Sequence, residues 1–536
     1  MSNFNIHPSR KILVVVTVGG STNSAPIFEV CQILADRGHV IEFATLSGRE
    51  HYARPYPFVS KVHIIGRAIT AEEDEQLYLK LGNWDNTSVA SRSGYWSCKK
   101  FYDSFWSENY RGLKQLVDGS PPDFIFSDYQ TEAPKDVATE YSIPLAEMWP
   151  QMPWLMAPQP WIPGLVGAQE RCMTSENANM FDRLFEQSHI LRDAPNFIDY
   201  YLWARKMRRD NGVATMPAIK SKPDHVVLVN SFFGSEVPKD LPPLMMAAGP
   251  ILSDNNWEKL DERQARFLEN KKAVLYLALG THVILTPGVI EKIFQGLTYA
   301  MKDGHIDGVV YAVRDVARKQ FVPLQQTIVS GVTVSELLQN KHDSWLFLDH
   351  APQRAILNDS SVKLFFSHVG ASSANEGLYH GVPMLCMGIC GDGLPRAIRL
   401  EQAGVALSID KNDFSSAEVA EKIGTIIKDY DGEFTRNTRR MQRIAHVASR
   451  RKYAAADLIE EHMYDWELRF EHHPQEPKKD YLVNGRRGKE LSPMHLQTAD
   501  MRMPWLKATN LDQKLIFLGL VTVLVYVCKA LISGAK

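Results

Sequence analysis

Short runs of branched apolar residues recur along this chain, each parted from the next by a helical pattern, and that alternation leaves few folds open. Ile12 to Val18 is the first such run. Apolar on both faces and far too short to cross a membrane, it reads as a strand buried in a parallel sheet. A Gly/Ser/Asn turn follows, then Ile27, Val30, Cys31 and Leu34 at i, i+3, i+4 and i+7, the core face of a helix. Pro26 suits the first turn of that helix and Gly38 its C-terminal stop. Val40 to Thr45 is the next strand, completing a strand–helix–strand unit. Phe124 to Asp128 adds a strand, with a helix through Lys135 to Tyr141, and Val226 to Asn230 reads as the last strand of this series. Lys239 to Leu252 reads as a linker. A second series begins at Ala273–Leu279 and continues through Gly308–Val313, Trp345–Leu348, Leu364–Ser367 and Pro383–Cys386. Two such series predict an α/β protein of two Rossmann-like halves facing each other across a cleft. The expected divisions are 1–240, 241–465, a polar tail over 466–510 and an apolar end over 511–533.

Two stretches break the alternation. Met148 to Gly164 is rich in proline and carries Trp149, Trp154 and Trp161, so it is not a regular element, and its aromatics pack or line the cleft. Glu433 to Phe470 looks helical throughout, with Arg436, Arg439, Arg440 and Arg443 on a solvated side.

Composition excludes several classes. Sixty basic against sixty-two acidic residues give a net charge of −2, which leaves no cationic excess for a nucleic-acid partner. Six cysteines in 536 residues are not a disulfide scaffold. A mean hydropathy of −0.23 excludes a polytopic membrane protein. The N-terminal apolar run is not a signal peptide, so the bulk of the chain is expected in the cytosol. Leu515 to Cys528, however, has no charge, and extension to Ile532 gives about 27 Å of helix, the thickness of a thin bilayer core such as that of the endoplasmic reticulum. Lys529 can snorkel to the headgroups, and Met501, Met503, Trp505 and Leu506 alternate with Arg502 and Lys507 as in an interfacial segment. A single-pass membrane anchor is the expectation; a buried C-terminal helix is the alternative.

The chemistry is concentrated between His350 and Leu407. Leu364–Ser367 is a strand, and the chain then turns sharply through His368, Val369 and Gly370 into a helix carrying Glu376. A helix N-terminus offers unpaired N–H groups and partial positive charge, a site for a diphosphate. His368, Ser372 and Ser373 add donors there, while Glu376 can accept from ribose hydroxyls. Pro352–Gln353 lie on a loop after the neighbouring strand.

Pro352, Gln353, His368, Gly370, Ser373, Glu376, Gly381, Val382, Pro383, Met384 and Asp392 together resemble the nucleotide-sugar signature of family 1 UDP-glycosyltransferases, fungal members in particular. The resemblance implies the two-domain GT-B fold and a UDP-sugar as co-substrate, with no metal or other cofactor. It implies that His368 and Ser373 contact the phosphates, that Glu376 holds the ribose, that Gln353 lies near the uracil and that Asp392 holds sugar hydroxyls. Gly280–Thr281 resembles the family's Gly-Ser turn near the phosphates. Three positions depart from the pattern: His350 stands where the family stacks a tryptophan on uracil, Gly393 where it has a glutamine, and Asn23 where it has its catalytic histidine. An amide is no general base at neutral pH. Asp128 matches the aspartate that orients that histidine, and can serve as base directly or through a water. The expected reaction is inverting transfer of a hexose, glucose first, to a hydroxyl of a lipophilic terpenoid, sterol or other secondary metabolite. The alternatives are a glycolipid glycosyltransferase on the same fold and a non-catalytic UDP-sugar-binding subunit.

Overall fold

The computed structural model describes residues 6–84, 89–166, 169–214, 216, 220–254, 257–280, 283–469 and 494–534. Seven strands form the first sheet: β1 (Lys11–Val15), β2 (Val40–Leu46), β3 (Val59–Gly66), β4 (Phe124–Asp128), β5 (Leu145–Trp149), β6 (Val226–Val229) and β7 (Met245–Ala247), in the order β3-β2-β1-β4-β5-β6-β7. The second half has β8 (Val274–Ala278), β9 (Gly308–Ala312), a small hairpin of β10 (Ile328–Val329) and β11 (Val332–Thr333), then β12 (Trp345–Leu348), β13 (Val362–Ser367), β14 (Met384–Cys386) and β15 (Ala406–Ser408). Its main sheet runs β12-β9-β8-β13-β14-β15. Every pairing within the two large sheets is parallel. Helices cover both faces, so the central strands are buried on both sides, which is why they read as unbroken apolar runs.

Several sequence expectations are corrected. The first helix begins at Ser21, so Pro26 lies within it and not in its first turn; the small polar residues 21–24 carry no apolar period and so read as a turn in sequence. Asn23 N–H donates to the Gly20 carbonyl at 3.0 Å and closes that first turn. Gly38, with φ of +95°, stands just beyond the helix end as expected. β6 is not the last strand of its sheet: the stretch taken for a linker supplies β7, whose short run Met245–Ala247 follows two prolines. The helix expected over Glu433 to Phe470 is two, Glu433–Ala448 and Arg451–Arg469, and Phe470 lies outside the described residues.

That break is where the chain returns to the first half. Ala455, Leu458, Ile459 and Met463 join the same core as Ile27, Val30 and Leu34. Met494 is buried in this core too, and His495 Nε2 lies 2.6 Å from Glu461, so the segment before the C-terminal helix is rooted on the first half. Lys222 Nζ, 2.8 Å from Asp500, ties it again. The helix Leu511–Gly534 then leaves the body. Its 21-residue apolar stretch Leu511–Leu531 is long enough to cross a membrane, and none of that window is buried.

The halves touch across the cleft. Ile284 N–H donates to Tyr78 O at 3.3 Å, and Lys411 Nζ, held by Ile389 O of its own half, donates across to Gly82 O at 2.8 Å and to Trp84 O. Asn375 Nδ2 donates to Asn230 O at 2.7 Å.

Candidate functional site

In an open parallel sheet, ligands bind beyond the carboxyl ends of the strands where the strand order reverses. The first sheet reverses between β1 and β4, the second between β8 and β13. Asn23 follows β1, Asp128 ends β4, Gly280 follows β8 and His368 follows β13. The residues singled out from sequence thus stand at both reversals.

On the second sheet, β13 ends in a constrained turn. Val369 has φ of +54°, a left-handed conformation that a β-branched residue adopts only under strain of about 1–3 kcal/mol. Its fully buried side chain holds it there, with Ser367 Oγ accepting from its N–H at 3.0 Å and Arg396 Nη1 donating to its carbonyl at 2.9 Å. His368 is wedged between two glycine backbones: a Cβ on Gly280 would lie 2.8 Å from its Nε2, and one on Gly370 2.5 Å. Burial pushes the imidazole down to about 4, so it is neutral at pH 7 and can donate one N–H. Gly370 caps the helix Ala371–His380 without a side-chain cap, which leaves the N–H groups of the first turn open beside Ser372 and Ser373.

Gln353 opens the helix Gln353–Leu357 and joins the rest into one cluster. Its Nε2 donates to Glu376 Oε2 at 2.8 Å and to Ser373 Oγ at 3.3 Å, while its Oε1 accepts from Tyr276 OH at 3.2 Å. Burial raises the Glu376 carboxyl, and the Gln353 hydrogen bond opposes it. His350 stands apart from this cluster: its side chain is 78% exposed and its Nε2 lies 2.7 Å from Glu258 Oε2. Thr281 lies outside the described residues.

Asp392 precedes the helix Gly393–Gln402 and pairs with Arg396 at 2.7 Å. Arg396, which sequence reasoning missed, is almost fully buried and also reaches Gln151 of the first half at 3.3 Å. Its signal was legible, an acid and a base four apart at a helix start. A Cβ at Gly393 would lie 3.2 Å from the His368 carbonyl oxygen, so the chain approaches the turn closely there.

On the first sheet, Asn23 Nδ2 donates to Asp128 Oδ1 at 3.0 Å, and Gln130 N–H donates to Asp128 Oδ2 at 3.0 Å. Burial nevertheless raises the Asp128 carboxyl to about 7, against the pull of those two donors. Beside it, Tyr129 packs on Trp149 at 4.6 Å. Burial first, then the carboxylates of Asp392 and Asp128, hold the Tyr129 phenol well above its usual value, so the two sheets' acids share one neighbour. Of the three tryptophans, Trp149 and Trp154 are half-buried, Trp154 against Tyr95 at 4.6 Å, and Trp161 is exposed. Among the described residues no cluster of His, Cys, Asp and Glu has the arrangement of a metal site.

The family model for UDP-glucoronosyl and UDP-glucosyl transferase matches residues 329–449, the segment that holds Gln353, His368, Ser373, Glu376 and Asp392. The chain is 46% identical over 538 residues to the UDP-glycosyltransferase FPY2 of Fusarium mangiferae, covering 98% of each chain. It is 44% identical over 530 residues to the UDP-glycosyltransferase stmC of Aspergillus ustus, covering 97% of each. Among solved structures, the glycotransferase of kitacinnamycin superposes with a TM-score of 0.58 at 16% identity, covering 85% of this chain and 99% of that one. LpCGTa in complex with UDP gives 0.56 at 15% identity, covering 84% and 99%. These superpositions identify the two-half architecture as the GT-B fold.

Proposed function

The chain belongs to the UDP-glucuronosyl and UDP-glucosyl transferase family, and on that premise we propose that it moves a hexose, glucose first, from a UDP-sugar to a hydroxyl of a lipophilic small molecule, with inversion. One observation carries the reading: Arg396, beside the turn after β13, reaches Gln151 of the first half, so a carboxyl raised to about 7 on one side and an open helix N-terminus on the other belong to neighbouring sheet reversals. The acceptor oxygen attacks the anomeric carbon as the bond to UDP breaks, and its proton passes to Asp128, directly or through a water. Asn23 keeps Asp128 oriented by donating to Oδ1. Charge developing on the departing diphosphate meets the N–H groups at the start of Ala371–His380, the hydroxyls of Ser372 and Ser373, and the neutral imidazole of His368. Glu376 holds the ribose, Gln353 lies toward the uracil, and Asp392 takes sugar hydroxyls.

Leu511–Leu531 serves as a single-pass anchor, with both catalytic halves in the cytosol at the endoplasmic reticulum membrane, where lipophilic acceptors such as terpenoids or sterols dissolve. The test is a panel of UDP-sugars against lipophilic alcohols, read by UDP release and product mass. Release of UDP with a glycoside of matching mass is expected. UDP binding without release in every combination would overturn catalysis in favour of a UDP-sugar-binding subunit, which the departures at Asn23 and Gly393 motivate.

A further inference from the structure

Two consecutive helices of the first half, Met180–Gln187 and His189–Asp210, turn apolar side chains to solvent. Met180, Phe181 and Leu184 are 61–66% exposed on the first helix. On the second, Leu191, Ile198 and Leu202 recur at i, i+7 and i+11 on one face, and Leu191 is 77% exposed. The opposite face, Tyr200, Ala204 and Arg208 at i, i+4 and i+8, is buried. Its contacts are polar: Tyr200 OH donates to Asp103 at 2.5 Å and Arg208 Nε to Asp136 at 3.0 Å. Turning the apolar stripe inward would leave those buried charges without partners, so the helix is fixed with its apolar face outward. A contiguous exposed apolar patch of this kind marks a contact surface.

The occupant follows from where the C-terminal helix is rooted. Lys222 grips Asp500, eleven positions before Leu511, and Ser221 beside it accepts from Ala157 N–H at 2.7 Å. From Ala157 the surface runs over exposed Trp161 to Gly164, where a Cβ would lie 2.7 Å from the Glu186 carbonyl of the first apolar helix. Contacts within the first half therefore link the root of the tail to the first of the two apolar helices. At the rim, the Arg171 and Arg192 guanidiniums stack on Phe185 at 3.9 and 3.8 Å; Arg192 also donates to Phe185 O at 3.0 Å, while Arg171, 3.5 Å from Asp182 and 42% exposed, brings positive charge to the edge of the patch. Beneath the face, Phe197 meets Trp96 at 5.7 Å, Trp96 meets Tyr95 at 5.2 Å, and Tyr95 meets Trp154 at 4.6 Å, a packed line of rings that backs it.

We propose that the outward face of Met180–Gln187 and His189–Asp210 beds into the headgroup layer of the bilayer that takes Leu511–Leu531. The placement rests on the anchor reading of the C-terminal helix, and the test separates the two. Full-length protein with Cys528→Ser receives a nitroxide at Leu191→Cys, Ile198→Cys, Leu524→Cys or, as a water-facing reference, Tyr430→Cys, whose native side chain is 90% exposed. Each is reconstituted in phosphatidylcholine vesicles with and without phosphatidylserine, and collision with oxygen is compared with collision with a water-soluble nickel chelate.

An oxygen-to-nickel ratio at positions 191 and 198 roughly threefold or more above that at 430 is expected for interfacial burial. Lipid contact at 191 and 198 with water at 524 would retain the face and remove the anchor. A water-like ratio at 191 and 198 overturns the proposal whatever 524 reads, and with 524 in lipid it does so while the anchor stands. Shielding of 191 and 198 from both reagents assigns the face to a second copy of the chain and also overturns it.

Discussion

Asp128 is the residue on which turnover is most exposed to test. With its carboxyl raised to about 7, the charged form that the proposed role as base requires is present above that pH and lost below it. kcat/KM is therefore expected to rise with pH through a midpoint near 7. Asn23 favours the charged form by donating to it, so Asn23→Ala should move that midpoint up by about one pH unit, read from the pH profile of UDP release. Asp128→Asn should lower kcat by about 10²–10⁴ with UDP-sugar affinity unchanged, and full activity would remove Asp128 from the mechanism. The same shift acts on stability with the opposite slope. Because the folded-state value lies above the ordinary 3.8, this group's contribution is fully present at low pH and declines as pH rises through about 7. Gly370 has φ of −54°, open to any residue, so Gly370→Ala tests space alone: its Cβ would meet His368 Nε2 at 2.5 Å. UDP affinity by calorimetry should fall about tenfold, a loss of about 1.4 kcal/mol. The donor-side residues were legible because they crowd into one stretch of sequence. The bond between Asn23 and Asp128 spans 105 positions; the residue pattern alone does not join them, and it is the resemblance that pairs the two positions.

Among the elements, legibility followed burial chemistry. β1, β4, β6, β8, β9 and β12 are nearly pure apolar runs and announce themselves. β5 hides because Glu147 sits fully buried in its middle, neutralised by Lys135 at 2.9 Å and by His225 at 3.0 Å, partners that only the fold brings near. β3 hides because it is an edge strand carrying Lys61 and His63, polar residues that protect an exposed edge from further pairing. The turn from β13 into its helix depends in turn on the helix Gly393–Gln402, through the Arg396 bond to the Val369 carbonyl. Arg396→Leu leaves both Val369 O and Asp392 without that donor, and the KM for UDP-sugar should rise about tenfold, more than kcat falls, in steady-state kinetics. Arg396→Lys keeps the charge but not the fork, and should recover part of the loss.

For the whole molecule, the apolar C-terminal helix contributes nothing to the packed body, since none of its spanning window is buried. A chain ended before Leu511 should move from the membrane pellet to the soluble fraction and keep its UDP-sugar affinity; retention in the pellet without aggregation would exclude this helix as the anchor. The two-half plan was legible from two series of strands, but the return of Arg451–Arg469 to the first half was not, because one unbroken helical pattern conceals the turn at residues 449–450. That return has a mechanical consequence. Among the described residues the polypeptide passes between the halves once after Ala247 and once before Arg451, and Lys452 Nζ fastens the two passages together, 3.0 Å from Leu252 O and 2.7 Å from Asp254. The halves are thus sewn along one spine, like two covers of a book. The other described contacts between them, including the grip of Lys411 on Gly82, are non-covalent, so the covers can part without breaking the spine.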